Sequence, residues 1–159
     1  MLPQRIASLS LLLATLCPAA AFACTCIPPG SPEQEAARAD HVFVGRVVST
    51  RPVETLSWWR RLLVRVGLSD PPEQQGWPEY TVSFRGVEAL KGARAGQFTV
   101  RTSDSGGACG YPFKVGQRYV VYAHDHAGAP RAGICSLTGP AADPRSGLLW
   151  LRSHRGRIP

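Results

Sequence analysis

Two cysteines a single residue apart, Cys24 and Cys26, constrain this chain more than any other feature. A bond between them would close a very small, strained ring, because a disulfide demands particular Cα separations and dihedrals. Their partners must therefore lie far along the chain, at Cys109 and Cys135, and two pairings stay open. Either one ties the start of the chain to two distant points. On the chain-entropy model, closing loops that long stabilises a fold by several kcal/mol each.

Oxidation of those thiols needs an oxidising compartment, and the first residues supply the route. Arg5 precedes the apolar run "IASLSLLLATLCPAA", which is short and broken by alanine and proline. Ala21-Phe22-Ala23 then fits the small-x-small rule for signal cleavage. Residues 1–23 read as a signal peptide whose removal discards Cys17 and leaves Cys24 as the new N-terminus. No other stretch reaches the roughly 18 apolar residues of a membrane helix. The expected location is secreted, extracellular or periplasmic. A cysteine directly after the cut also suits acylation at Cys24 as a lipoprotein, but Ala21 and bulky Phe22 replace the leucine and small residues that signal usually carries. A four-thiolate zinc site is the metal alternative, and export argues against it.

The chain carries a formal charge of +7, almost all of it arginine, since Lys91 and Lys114 are the only lysines. Such a balance gives solubility and attraction to anionic surfaces. A nucleic-acid partner is not expected, because no long basic run is interleaved with aromatics.

Past the cysteines, "SPEQEAARAD" predicts a short helix with Ser31 as N-cap, Pro32 at its first position and Gln34 closing a capping box. Glu33 and Glu35 sit where the helix dipole favours acids. "HVFVGRVVST" is a β-branched strand. "EYTVSFRGVEAL" alternates Tyr80, Val82 and Phe84 on one face, with Gly86 as a bulge or bend. "QFTVRT" and "QRYVVYA" predict a third and fourth strand, and a fifth is expected around Ile134 and Cys135. Five short strands with turn punctuation point to an all-β fold with minor helix, a small barrel or sandwich.

Residues 52–78 insert between the first two strands. Within them "WWRRLLVRVGL" places Trp58, Trp59, Leu62, Leu63 and Val66 on one helical face, with Arg60, Arg61 and Arg65 off it. The expectation is a helix packed on the strands; the alternative is a peripheral membrane or partner contact through Trp58 to Leu68, residues 58–68. The last stretch, 139–159, predicts a short helix begun at Asp143-Pro144 and a frayed basic end.

Catalytic machinery is hard to assemble here, and no enzyme activity is expected. Carboxylates are scattered, no serine sits in a nucleophile-elbow context, and His41, His124, His126 and His154 are the only imidazoles. His124 and His126 share a strand face, but two imidazoles make half a metal site, and a solvated hairpin end accounts for them. The freed N-terminus has more chemical reach. An α-amine has a reference pKa of about 7.7–8.0, so much of it is neutral near neutrality. With the Cys24 carbonyl oxygen it can close a five-membered chelate on a metal. A catalytic zinc keeps one position open for water, which a pinned N-terminal residue could take.

Those residues resemble a known family. Cys24-Thr25-Cys26-Ile27-Pro28 is similar to the mature N-terminus of the tissue inhibitors of metalloproteinases, members of the netrin-like module. "AARADHVFVGRV", "FRGVEALKG" and "CGYPFKVGQRYVVYA" resemble, in order, the module's first helix and strand, its strand into a Lys-Gly turn, and its C-G-x-x-F-x-x-G-x-x-Y segment. The likeness covers residues 24–138, with the leader and single-domain form of a bacterial-type member. It implies an OB-type five-stranded β-barrel with flanking short helices. It implies disulfides Cys24–Cys109 and Cys26–Cys135. Cys24 would chelate the zinc of a partner protease, Thr25 would enter the adjoining specificity pocket, and Ile27 and Pro28 would run along the cleft. Gly107 and Ala108 would give a secondary contact. No cofactor intrinsic to the chain is implied. Other netrin-like modules keep the barrel without inhibiting, so a non-inhibitory binding module of the cell surface or extracellular space is the alternative. The family's third disulfide in this domain has no cysteines here.

Overall fold

A computed structural model describes residues 25–53, 56–70, 77–104 and 109–158. The signal peptide reading, Cys24, Gly107 and Ala108 lie outside those residues.

The first element, α1 (Pro32–Arg38), starts as its sequence dictates. The Ser31 side chain accepts from the Gln34 N–H at 3.3 Å, and the Gln34 side-chain oxygen accepts from the Ser31 N–H at 3.0 Å. This reciprocal box satisfies N–H groups that the helix itself leaves open. Strand β1 (His41–Pro52) follows, then α2 (Trp58–Arg65), β2 (Glu79–Lys91), β3 (Gly96–Ser103), β4 (Arg118–His126) and β5 (Ala129–Arg131). A two-residue β6 (Gly139–Pro140), a 3-10 turn (Pro144–Ser146) and α3 (Leu148–Ser153) complete the order.

The strands pair as β1-β2-β3-β5-β4-β6, and β1 also pairs with β4, so five strands form a ring. All neighbours are antiparallel except β3 and β5, which meet in parallel through Arg101 opposite Arg131. The fifth strand expected at Ile134 and Cys135 runs instead over Ala129–Arg131. Ala127 and Gly128 explain the shift. Both take positive φ, 49° and 77°, making the tight two-residue turn whose twist matches a hairpin. His126 thus pairs Ala129, and β5 begins at once.

β1 and β4 are buried on both faces, which accounts for their unbroken apolar runs. Phe43, Val47, Tyr119 and Val121 point into the ring with Val82, Phe84 and Val100. Phe43 meets Phe84 edge-on at 5.1 Å, and Phe84 meets Phe113 at 5.4 Å, the geometry aromatic rings prefer. Each fully buried side chain of this kind contributes about 1.5–3 kcal/mol. On the other face Val42, Val44, Val120 and Tyr122 pack under α1 and α3, through Ala36, Ala39 and Leu151.

Gly147 joins those two helices to the sheet. Its φ is 71°, and a Cβ there would lie 2.6 Å from the Pro32 Cβ. Beside it the Tyr122 hydroxyl donates to the Ser146 carbonyl at 2.9 Å, and burial pushes that phenol's pKa up. The end expected to fray is tied down. Ile158 packs on the Leu151 cluster, and Arg155 donates to the Ala89 carbonyl at 3.2 Å.

The insert corrects another expectation. α2 forms as predicted, but no residue of it is buried. The outward faces of β2 and β3 carry Thr81, Ser83, Arg85, Thr99 and Arg101, which give an apolar helix nothing to cover. The apolar faces of β1 and β4 are already taken by α1 and α3.

Candidate functional site

The site grows from the short stretch between Cys26 and α1. Cys26 is bonded to Cys135, closing a loop with a sequence separation of 109. Cys109 is disulfide-bonded as well; the pairing expected for it involves Cys24, outside the described residues. The sulfurs of Cys26, Cys109 and Cys135 all lie within 4.8 Å of one another. Oxidised sulfur offers no thiolate, so this cluster is a covalent knot and not a tetrathiolate zinc site.

Backbone bonds bring the loops of the knot together. The Ile134 N–H donates to the Cys109 carbonyl at 3.0 Å, and Gly110 bridges Gly133. Cys109 itself adopts φ 56°. Arg131, one strand position away, pairs with Glu79 and donates to Ser103 Oγ at 3.1 Å, so the chain on each side of the knot is held to the ring.

At its other end the stretch is anchored by Glu35. This carboxylate is 6% exposed. It accepts from the Gly30 N–H at 3.1 Å, with Arg38 3.6 Å away. Sequence reasoning gave Glu35 only a helix-dipole role. The available signal was its place in the helix: Glu35 shares a face with Ala36 and Ala39, the face that is buried.

Between the two anchors Ile27, Pro28 and Pro29 are exposed, Ile27 at 85%, and Thr25 is exposed just before Cys26. Pro28 and Pro29 fix their own φ and remove two N–H donors. Pro28 and Pro29 therefore stiffen an exposed stretch that leaves a covalently fixed base at Cys26. It can enter a cleft without first losing much freedom.

A groove of about 420 Å³ opens beside the knot, lined by Cys109, Cys135, His124, His126 and Arg131 among others. Both histidines are exposed at the β4–β5 hairpin end. The remaining imidazoles are elsewhere. His41 Nε2 lies 3.0 Å from Asp125 Oδ1, its ring rests against Phe98, and its buried Nδ1 has no hydrogen-bond partner. His154 stacks on Trp150 at 4.4 Å. Asp40 sits next to the first of these, and the Asp125 N–H it accepts at 2.9 Å holds its carboxyl below the usual range. Among the described residues, then, the four histidines do not converge, while Thr25, Ile27 and Pro28 are exposed on either side of the half-buried Cys26.

No helix among the described residues is long and apolar enough to cross a membrane. No model of a known protein family matches the chain, and no curated protein matches it either.

Proposed function

We propose that the chain is a secreted or periplasmic inhibitor of zinc metalloendopeptidases. The reading starts from Cys24, which cleavage after Ala23 would free. Its α-amine and carbonyl oxygen would chelate the zinc of the protease and displace the water that the metal activates. Thr25 would enter the neighbouring specificity pocket, while Ile27 and Pro28 lie along the cleft. Gly107 and Ala108 would add a thin secondary contact.

The observation that carries this reading is the anchoring of an exposed edge at both ends. The Cys26–Cys135 bond fixes one side of it, and Glu35 fixes the other. A floppy terminus would lose affinity to the cost of ordering it. The five-stranded ring and its thin β3–β5 closure support an OB-type fold, a partly open five-stranded Greek-key barrel. A Cys24–Cys109 bond would put the chelating residue on the sulfur knot.

The test compares protein beginning at Cys24 with protein carrying one extra alanine before it, against a panel of zinc metalloproteases. The expected result is inhibition by the first alone, since acylating the amine removes its lone pair from the chelate. Equal inhibition by both sinks the zinc-chelating mechanism, and inhibition by neither leaves a non-inhibitory netrin-like binding module. Intact mass of the exported protein reports the cleavage site, the free amine and the number of disulfides together.

A further inference from the structure

The helix α2 presents a contiguous apolar face to solvent. Trp58 is 73% exposed, and Trp59, Leu62 and Val66 are each more than half exposed. Leu68, just past the helix, is 76% exposed as well. Single exposed apolar residues are ordinary on protein surfaces, but a contiguous patch of this kind marks a binding surface. On the helical wheel the three arginines flank it. Arg61 and Arg65 border the Trp58 side, and Arg60 borders the Leu63 side. Residues 57–69 contain no aspartate or glutamate.

We propose that α2 is a membrane-surface anchor: its Trp-Leu face inserts into the headgroup boundary of an anionic lipid bilayer, and Arg60 and Arg65 reach the lipid phosphates. Two properties select lipid as the occupant. Tryptophan prefers the boundary between hydrocarbon and headgroup, where its ring is buried and its N–H stays wet. Arginines flanking an apolar face lay their stems along that surface while their guanidinium groups meet phosphate. The positive charge of the whole chain, +7, favours the same partner at longer range. The inference is independent of the inhibitor reading, because α2 is distinct from the edge at Thr25 and Ile27.

The test uses tryptophan emission, since the first 23 residues contain no tryptophan and cannot contribute to it. Full-length protein is titrated with vesicles of equal parts phosphatidylglycerol and phosphatidylcholine, and with phosphatidylcholine alone, with and without brominated acyl chains. The expected result is a blue shift and bromine quenching on the anionic vesicles, reversed by high salt. The variant W77F/W150F should keep both signals, and W58S/W59S should lose them. R60Q/R65Q should weaken partitioning by about 25-fold, roughly fivefold for each arginine. R60Q/R65Q keeps the apolar face intact, so it carries the test even if W58S/W59S misfolds. Quenching that is absent on anionic vesicles, equal on zwitterionic ones, or unchanged in R60Q/R65Q would overturn the proposal. Binding to a protein in place of lipid would appear as the first of these.

Discussion

The backbone N–H of Gly30 donates to the carboxylate of Glu35 at 3.1 Å, and that carboxylate is buried in the first turns of α1. This bond decides the direction in which the chain leaves the sulfur knot. Without it, the stretch from Ile27 to Pro29 would be held at Cys26 and, past Gly30, only by the capping box at Ser31. Replacing Glu35 by alanine removes a hydrogen bond to a charged group, worth about 1.5–3 kcal/mol. The expected outcome is a fall of about 2 kcal/mol in unfolding free energy, read from a lower urea midpoint at unchanged slope. Inhibition by the variant should weaken as well, because the edge is less preorganised.

The bond between Cys26 and Cys135 spans a sequence separation of 109. Loop-closure entropy for a loop of that length is on the order of 4–5 kcal/mol. The double variant C26S/C135S avoids a stray thiol and should lose most of that stability in non-reducing denaturation. Wild-type protein under strong reductant should fall at least as far. A variant as stable as wild type would mean that the ring alone holds the N-terminal segment.

These two anchors differ in how far the sequence discloses them. The cysteine spacing forces long-range bonds, but only the packing of the ring brings Cys109 and Cys135 to the same place. Strands β1 to β4 are legible because Tyr80, Val82 and Phe84, or Val120, Val121 and Tyr122, alternate or run as buried strands do. The capping box at Ser31 and Gln34 is legible because it is local. The hairpin at Ala127 is not, since alanine is a poor signal for a left-handed turn, and β5 was therefore expected too late. Amphipathicity likewise shows that α2 has an apolar face without showing what covers it. That depends on Thr81, Ser83 and Thr99 of strands remote in sequence, which leave it uncovered.

Gly147 is the point where α3 meets α1. A methyl group there would need to share space with the Pro32 Cβ, 2.6 Å away, and would carry a left-handed φ. Backbone around Pro32 is stiff, so the strain is not easily relieved. G147A should destabilise by about 2–3 kcal/mol, the combined scale of a strained φ and a close contact. In a domain of this size that lowers the melting temperature by roughly 5–10 °C. Y122F, which removes only the bond to the Ser146 carbonyl, should cost about 1 kcal/mol.

The same C-terminal helix gives the fold a dependence on acid. Arg152 donates to both oxygens of Glu88, at 3.1 and 2.7 Å, and this lowers the Glu88 pKa. An unfolded glutamate titrates near 4.3. Below that value the unfolded chain takes up a proton that the folded chain still refuses, so stability falls as pH drops through the folded pKa. Above it the contribution is complete and constant. Arg145 holds Asp143 down in the same direction, and the Asp125 N–H does so for Asp40. Thermal melts should therefore be level near neutrality and should decline from about pH 5 downward. In E88Q the pair with Arg152 is gone at every pH. Its melting temperature should lie a few degrees lower at pH 7, as suits a half-exposed pair worth up to about 1 kcal/mol. Its decline in acid should be shallower than that of wild type, because one of the titrating groups has been removed. Parallel acid profiles for the two proteins would show that Glu88 does not couple α3 to the sheet.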